Sequence, residues 1–259
     1  MKTFIFLFLF CIDCFSAVYF DKVDDNIIVL KSSSLNNLSA LTISVWIKPY
    51  SDGELNLGYI IDKSNSDVSG WRFRLQDNAG AGGSPNEIGF RVDWTTDLIR
   101  YTNPITTFNV WQNIIVTWDG SSTASNVHIY RDGVEATYKT TTDATGTRVD
   151  DSGNDFVIGS KANDVGSYEG LISELSEWNE VLSNDEIQLL AKSKIKGMPK
   201  QIRPSALKIY LPLTDFSNET SGDGRIYKDL SGNNNTGTGL DGANNTGVTN
   251  KAEEVLTYP

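Results

Sequence analysis

The chain has 259 residues, of which 39% are hydrophobic and 21% are charged, a composition that supports one large core and excludes wholesale disorder. All-β sandwiches of this length commonly fold as single domains, so the length alone requires no domain boundary. The formal net charge is −11, and the densest basic run, at 192–203, is sparse and interrupted by Pro199, which argues against nucleic acid as a partner.

The N-terminal residues 1–16 have the layout of a secretory signal peptide. Lys2 is followed by an apolar run at 4–12 and then by small residues, and this run is too short to span a bilayer. The alternative is a buried N-terminal strand or helix. Both cysteines, Cys11 and Cys14, lie in this segment, so the processed chain would contain no cysteine and no disulfide. We therefore predict a secreted protein without membrane insertion.

Strand patterns dominate the rest of the chain. Apolar residues alternate with other residues, or form short buried runs, in eight segments bounded by Gly, Asn, Asp and Ser: 41–47, 71–75, 88–92, 110–119, 127–130, 134–139, 156–159 and 170–178. The Asp132-Gly133 pair is a strong signal for a two-residue hairpin turn. Many short strands with such turns are typical of a sandwich or jelly roll.

One short helix follows the strands. Ser183 and Glu186 have the spacing of a capping box, and the helix is expected to end by Gly197. A lone helix after the strands, rather than between them, argues against a parallel α/β arrangement. Residues 206–212 form a further strand candidate, and 217–250 are rich in Asn, Gly, Thr and Asp, which indicates either a long ordered loop or a flexible tail.

Several phrases, taken in order, resemble the laminin-G-like, concanavalin A-like lectin and pentraxin-like jelly rolls. These phrases lie at 20–27, 41–49, 111–120, 127–133, 157–159, 168–179 and 182–187. The resemblance covers about residues 18–192. It implies an all-β fold, a two-sheet antiparallel jelly-roll β-sandwich with one short C-terminal helix and a β-containing C-terminal extension. We divide the chain into a signal peptide at 1–16, the sandwich at 17–200 and the extension at 201–259.

The extension contains phrases that come first in the resembling domains. Residues 209–215 and 229–237 are similar to segments that normally precede the opening strand, here at Phe20. Our hypothesis is a circular permutation in which 205–238 add that strand to the same sandwich. The alternatives are a disordered tail or the stub of a lost second repeat, and a strand that inserts into a neighbouring copy and causes self-association.

Calcium is the cofactor that the resemblance suggests. It needs several oxygen ligands, which carboxylates and Asn side chains in loops supply. The candidates are Asp24 and Asp25 in the opening phrase, Asp67 before the second strand, and Asn163 with Asp164 after Gly159. The ligand set that pentraxins use after Gly159 is not retained, which argues against their double-calcium site.

A glycan-binding sandwich stacks exposed aromatic rings on sugars. Trp94 is the first candidate, with an edge-strand packing role as its alternative, and the other candidates are Tyr101, Tyr168 and Trp71.

Catalysis is not indicated. Glu174 and Glu177 lie three residues apart on one strand, which places them on opposite faces, whereas a glycosidase needs paired carboxylates. His128 is the sole histidine and has no nucleophile motif near it.

We therefore expect a non-catalytic extracellular binding or adhesion module that recognises a glycan or a protein. The alternative is a surface or structural protein of a virion or extracellular appendage, since residues 243–247 and 256–259 resemble laminin-G-like proteins of phage and uncultured microbes. A glycoside hydrolase is the third hypothesis.

Overall fold

The computed structural model describes residues 17–65, 68–76, 86–163, 165–193, 197–213 and 224–240, and the backbone of 249–251. The predicted signal peptide lies outside the described residues. The strands of the described residues are β1 Ala17–Asp21, β2 Asn26–Val29, β3 Leu41–Pro49, β4 Tyr59–Ser64, β5 Gly70–Gln76, β6 Glu87–Val92, β7 Trp94–Thr96, β8 Leu98–Thr102, β9 Gln112–Trp118, β10 Val127–Arg131, β11 Val134–Glu135, β12 Tyr138–Thr142, β13 Thr145–Arg148, β14 Phe156–Ile158, β15 Glu169–Trp178, β16 Leu207–Leu211, β17 Arg225–Tyr227, β18 Gly237–Leu240 and β19 Thr249–Lys251. The α-helix is α1 Asn184–Lys192, and short 3₁₀ helices cover Glu54–Asn56, Ala124–Asn126 and Met198–Gln201.

Two large antiparallel sheets form the molecule. The first sheet has the order β11-β10-β9-β3-β15-β1-β19, with β16 also paired to β15. The second sheet has the order β12-β8-β6-β5-β4-β14-β2-β18-β17, and β7 with β13 forms a separate small ribbon. This arrangement, with one short α-helix, confirms the predicted jelly-roll sandwich.

The main core lies between the two sheets. Strands of the second sheet alternate buried apolar residues with polar ones, so β5 contributes Trp71 and Phe73 while β6 contributes Phe90. The Trp71 ring packs edge-on against Phe156 at a centroid distance of 5.8 Å and lies 6.1 Å from Phe90. Such aromatic contacts dominate the energy of a core because each ring buries about 150–250 Å².

The outer face of the first sheet is covered by α1 and by the segment that follows it. Ile187 and Leu190 of α1 join Trp178 and Ile202 in a second apolar cluster. The predicted capping box is confirmed, because the Ser183 side chain accepts from the Glu186 amide and the Glu186 side chain accepts from the Ser183 amide. Since α1 occupies this face, the other broad face of the sandwich is the outer face of the second sheet, although several of its side chains, among them Arg72 and Glu87, are buried.

The C-terminal extension contributes strands to both sheets. The predicted strand at 206–212 is confirmed as β16, which pairs with the second half of β15, and β18 pairs with β2. Leu211 and Tyr227 are buried in the main core. The division of the chain at residue 200 and the circular permutation remain predictions about its organisation and origin.

Candidate functional site

The outer face of the second sheet carries a set of hydrogen-bonding side chains. On β5 and β6 the apolar residues enter the core, so their neighbours Arg74, Gln76, Glu87 and Gly89 face outward. The next strand, β8, continues the same row with Tyr101, whose cross-strand partner is Gly89.

Tyr101 lies over a glycine in the middle of this row. Its ring carbons Cδ1 and Cε1 are 3.1 Å from the position that a Cβ at Gly89 would occupy. Any side chain at that position would therefore push the ring away from the sheet. Tyr101 is half-buried, and Thr140 of β12 lies beside it as its partner on the other strand. The glycine thus allows a partly exposed aromatic ring to rest directly on the sheet.

Polar groups around this ring are held in place by hydrogen bonds. Arg74 donates to the Tyr59 hydroxyl at 2.6 Å and to Oε1 of Gln76 at 3.1 Å. Lys139 donates to Oε1 of Glu87 at 3.0 Å. These groups are therefore oriented before any ligand arrives, which lowers the entropic cost of binding.

A second hydrogen-bonded pair borders the same face where β8 ends. Asn103 donates through Nδ2 to the Thr137 hydroxyl at 2.7 Å, and its backbone amide donates to the Thr137 carbonyl at 2.9 Å. We define the Tyr101 platform as this outward-facing set: Arg74, Gln76, Glu87, Gly89, Tyr101, Asn103, Thr137, Lys139 and Thr140.

A row of charges lies next to the platform. Arg72 forms a buried ion pair with Asp93, and Arg91 pairs with Asp97. Burial raises the pKa of Asp93, while the neighbouring Arg72 opposes that rise. The pKa of Asp62 is raised to about 6 by burial, although a hydrogen bond from Ser64 opposes the rise. These charges neutralise one another within the sheet and hold its strands in register.

The glycan-binding role predicted for two of the aromatic residues is wrong. Trp71 is 1% exposed and Tyr168 is fully buried, because both rings fill the main core. Trp94 is partly buried and packs against the same core, as its alternative interpretation stated. Tyr101 faces outward, so the structure does not bring Trp94 and Tyr101 together.

The polar members of the platform were not among the predicted site residues. Arg74, Gln76 and Glu87 each neighbour a core residue on a recognised strand, so the alternation that predicted the core also identified their outward direction. What the sequence did not contain was the pairing of β8 with β6, which places Tyr101 beside these residues.

The loop between β1 and β2 holds a cluster of carboxylates. The ligand oxygens of Asp21, Asp24 and Asp25 lie within 4.8 Å of one another, and the Asp21 amide donates to Oδ2 of Asp25 at 3.0 Å. Hard oxygen donors in a loop fit calcium chemistry, and a bound ion would supply positive charge that neutralises these carboxylates. Asp21 was not among the predicted ligands.

The remaining predicted calcium ligands are Asn163, Asp67 and Asp164. Asn163 is exposed in the turn that follows β14. Asp67 and Asp164 lie outside the described residues.

The carboxylates of β15 lie on opposite faces, as predicted. Glu174 accepts from the Tyr210 hydroxyl at 2.7 Å, and Tyr210 belongs to the cluster beneath α1. Glu177 is fully buried, and its cross-strand partners Ile43 and Ile209 belong to the main core. The two groups therefore cannot flank one glycosidic bond.

Comparison with known proteins identifies the family. A laminin-G family model, described as the concanavalin A-like lectin/glucanases superfamily, matches residues 21–188. No curated protein matches the chain significantly. Within the described residues, no helix has the length and apolar character needed to cross a membrane.

Solved structures resemble this chain at low sequence identity. A protein from Bacteroides ovatus ATCC 8483, named as a candidate carbohydrate-binding protein, is 19% identical with a TM-score of 0.63 over 95% of this chain, which spans 61% of that protein. Domain 4 of the GH43 extracellular arabinanase AbnA from Geobacillus stearothermophilus, solved with arabinotriose, is 17% identical with a TM-score of 0.47, covering 68% of this chain and 76% of that one. Mouse laminin alpha1 domains LG4-5 are 11% identical with a TM-score of 0.47, covering 65% of this chain and 42% of that one. The chain belongs to the laminin-G family of the concanavalin A-like lectin/glucanases superfamily.

Proposed function

We propose that this chain is a secreted, non-catalytic module that binds a glycan on the Tyr101 platform. The observation that carries the proposal is the half-buried Tyr101 ring, which rests on Gly89 and is surrounded by oriented hydrogen-bonding groups. A sugar ring has an apolar face of C–H groups and a rim of hydroxyls. An aromatic ring contacts the apolar face of the sugar, while fixed polar side chains contact its hydroxyls.

The polar neighbours supply both kinds of hydrogen bond. Arg74 and Lys139 are donors only, and they are held by Gln76 and Glu87, which are themselves only 2% and 1% exposed. The acceptors that are at least partly exposed are the side-chain oxygens of Asn103, Thr137 and Thr140. A hydroxyl can donate and accept at once, so it is the ligand group that matches such a mixed set. The platform therefore suits a polyhydroxylated ligand better than a purely apolar or purely anionic one.

The fold comparison supports a binding role. The Bacteroides protein named as a candidate carbohydrate-binding protein has the same fold over nearly the whole of this chain. This fold hosts many functions, so the proposal depends on the platform rather than on the likeness. Secretion through residues 1–16 is part of the proposal and is tested by the N-terminal sequence of the exported protein.

The proposal is tested by a glycan array followed by calorimetric titration of three variants. Tyr101→Ala should weaken binding at least about tenfold, or ~1.4 kcal/mol, because it removes the stacking surface. Tyr101→Phe keeps the ring and should retain most of the affinity. Trp94→Phe alters an aromatic residue that packs on the core and serves as the matched control. Unchanged affinity in Tyr101→Ala, or no glycan bound by the wild-type protein, would refute the proposal.

A further inference from the structure

A cleft of about 590 Å³ lies beyond the Tyr101 platform, at the side of the sandwich. One wall is the segment 104–107 that follows β8, and the other is 131–137, which includes β11 and leads into β12. The cleft is widely open to solvent rather than enclosed, and its volume lies within the range of about 300–1,000 Å³ that is usual for small-ligand sites.

Charged groups in this cleft are held in fixed positions. Arg131 donates to the Ile105 carbonyl at 2.5 Å and lies 3.4 Å from the Asp132 carboxylate. Glu135 accepts from the Tyr138 hydroxyl at 3.0 Å. Its Oε1 also lies 2.7 Å from Nδ1 of His128. The polar groups are therefore arranged in advance of ligand binding.

Apolar groups lie next to these charges. Val134 is 71% exposed at the cleft although it belongs to a strand, and the partly buried Ile105, which packs against the main core, lines the other wall. An exposed aliphatic side chain beside fixed hydrogen-bonding groups repeats the combination of the Tyr101 platform. The same class of ligand therefore fits both places.

The platform and the cleft are adjacent. Thr137 lines the cleft and is hydrogen-bonded to Asn103 of the platform, two residues beyond Tyr101 along the chain. Two residues of extended chain span about 7 Å, which is comparable to one pyranose unit. A linear ligand lying on Tyr101 would thus reach the cleft after passing over Asn103 and Thr137.

The charge of the cleft selects among glycans. Two carboxylates, Asp132 and Glu135, line it against one guanidinium, Arg131, which already lies against Asp132. An anionic sugar would meet uncompensated negative charge there, in a protein whose formal net charge is −11.

We infer that the cleft is a second subsite of the glycan site, and that it takes the end of a neutral oligosaccharide whose neighbouring residues lie on the Tyr101 platform. This inference rests on the proposed function, since it assigns an extension of the same site. It adds a preferred chain length and a preference for neutral over acidic sugars.

The test measures Kd against chain length by calorimetry. The probes are xylo-, manno- and arabino-oligosaccharides of one to six residues, with oligogalacturonates of the same lengths as acidic probes. For the wild-type protein, Kd should fall about tenfold between two and four neutral residues and then level off, and the acidic series should bind at least about tenfold more weakly.

Two cleft variants and one control locate the effect. Val134→Asp and Glu135→Ala should abolish the gain between two and four residues while leaving the Kd of the disaccharide unchanged. Val181→Asp places the same charge at another exposed valine, outside both the platform and the cleft. It should change neither the gain between two and four residues nor the Kd of the disaccharide. Both cleft positions are on the surface, and equal melting temperatures confirm that the variants fold.

The outcomes separate the two proposals. Glycan binding that requires Tyr101 but shows the same chain-length gain in both cleft variants overturns the subsite and leaves the proposed function intact. Equal affinity for the acidic and neutral series also overturns the subsite. Absence of binding to every oligosaccharide overturns the subsite together with the proposed function.

Discussion

Glu177 should make the stability of the protein fall as the pH rises. Its side chain is fully buried between the sheets, where burial raises the pKa of the carboxyl to about 8 even though Lys63 opposes the rise. Lys63 is itself buried and donates to the carboxylate and the carbonyl of Asp151, so its charge is largely satisfied by another group. The Glu177 carboxyl therefore remains protonated at neutral pH.

The sign and size of the effect follow from the two pKa values. In the unfolded chain Glu177 has an ordinary pKa of 4.5, so between pH 4.5 and about 8 the unfolded state has lost a proton that the folded state retains. Stability consequently falls with rising pH through this window, and the loss is complete above pH 8. The difference between the two pKa values corresponds to a loss of about 5 kcal/mol. This is a large share of the stability of a typical domain.

Replacement by a neutral isostere isolates this contribution. Glu177→Gln cannot ionise, so its free energy of unfolding should lack this fall and exceed that of the wild-type protein above pH 8. Urea unfolding monitored by tryptophan fluorescence at pH 5 to 9 gives both curves. Asp62, whose raised pKa of about 6 acts in the same direction, is present in both proteins and cancels in the difference.

The matched control is Glu180→Gln, which removes a carboxylate of which 51% is exposed. If the unfolding free energies of wild type and Glu177→Gln remain parallel from pH 5 to 9, Glu177 is ionised in the folded protein and the reasoning about its burial is wrong.

Three further perturbations test other parts of the structure. Truncation after Lys200 removes β16 and β18 from the two sheets and should abolish the cooperative thermal transition; an unchanged melting temperature would show that the extension is dispensable. Millimolar calcium should raise the melting temperature relative to chelator, and Asp25→Asn should remove that increase; no shift in the wild-type protein would eliminate the calcium proposal. Gly159→Ala should destabilise the fold by about 2 kcal/mol or more in urea unfolding, since φ is +89° and a Cβ would lie 2.1 Å from the Phe20 ring; wild-type stability would contradict this packing.

The sandwich could be predicted because its strands carry a period-two pattern. In both Leu41–Pro49 and Glu87–Val92, residues that enter the core alternate with residues that point away from it. Most of the residues that point away from it are also buried, because these strands lie inside a sheet. The helix was equally predictable, since a capping box is a local feature that depends only on the spacing of Ser183 and Glu186. Such features need no knowledge of which strands become neighbours.

The candidate site was much less predictable because it depends on strand pairing. Trp71 has the alternation of a strand residue, but the sequence does not state which face of β5 meets the first sheet, and the structure places the tryptophan in the core. Tyr101 becomes part of a site only because β8 pairs with β6 in a register that sets it opposite Gly89. The cleft was still harder to predict from the sequence, since its walls come from two segments about 30 residues apart.

β1 and β16 lie end to end along one side of β15, and this explains the position of the extension. β1 pairs with the first half of β15, from Glu169 to Ile172, and β16 pairs with the second half, from Leu175 to Trp178. Both run antiparallel to β15, so β16 followed by β1 occupies the place of one continuous strand. The junction falls where Glu174 adopts a φ of +50° and its amide donates to the Pro212 carbonyl.

A flexible tail or a lost repeat would leave the second half of β15 unpaired on that side. Leu207 would then be missing from the cluster beneath α1 and Leu211 from the main core, whereas both are buried there. A strand that exchanged between copies would fill the same place from a neighbour, and it would make the melting temperature depend on protein concentration. A permuted strand fills it within one chain, so its melting temperature should be independent of concentration. The truncation and the concentration series together therefore distinguish the three origins proposed for the extension.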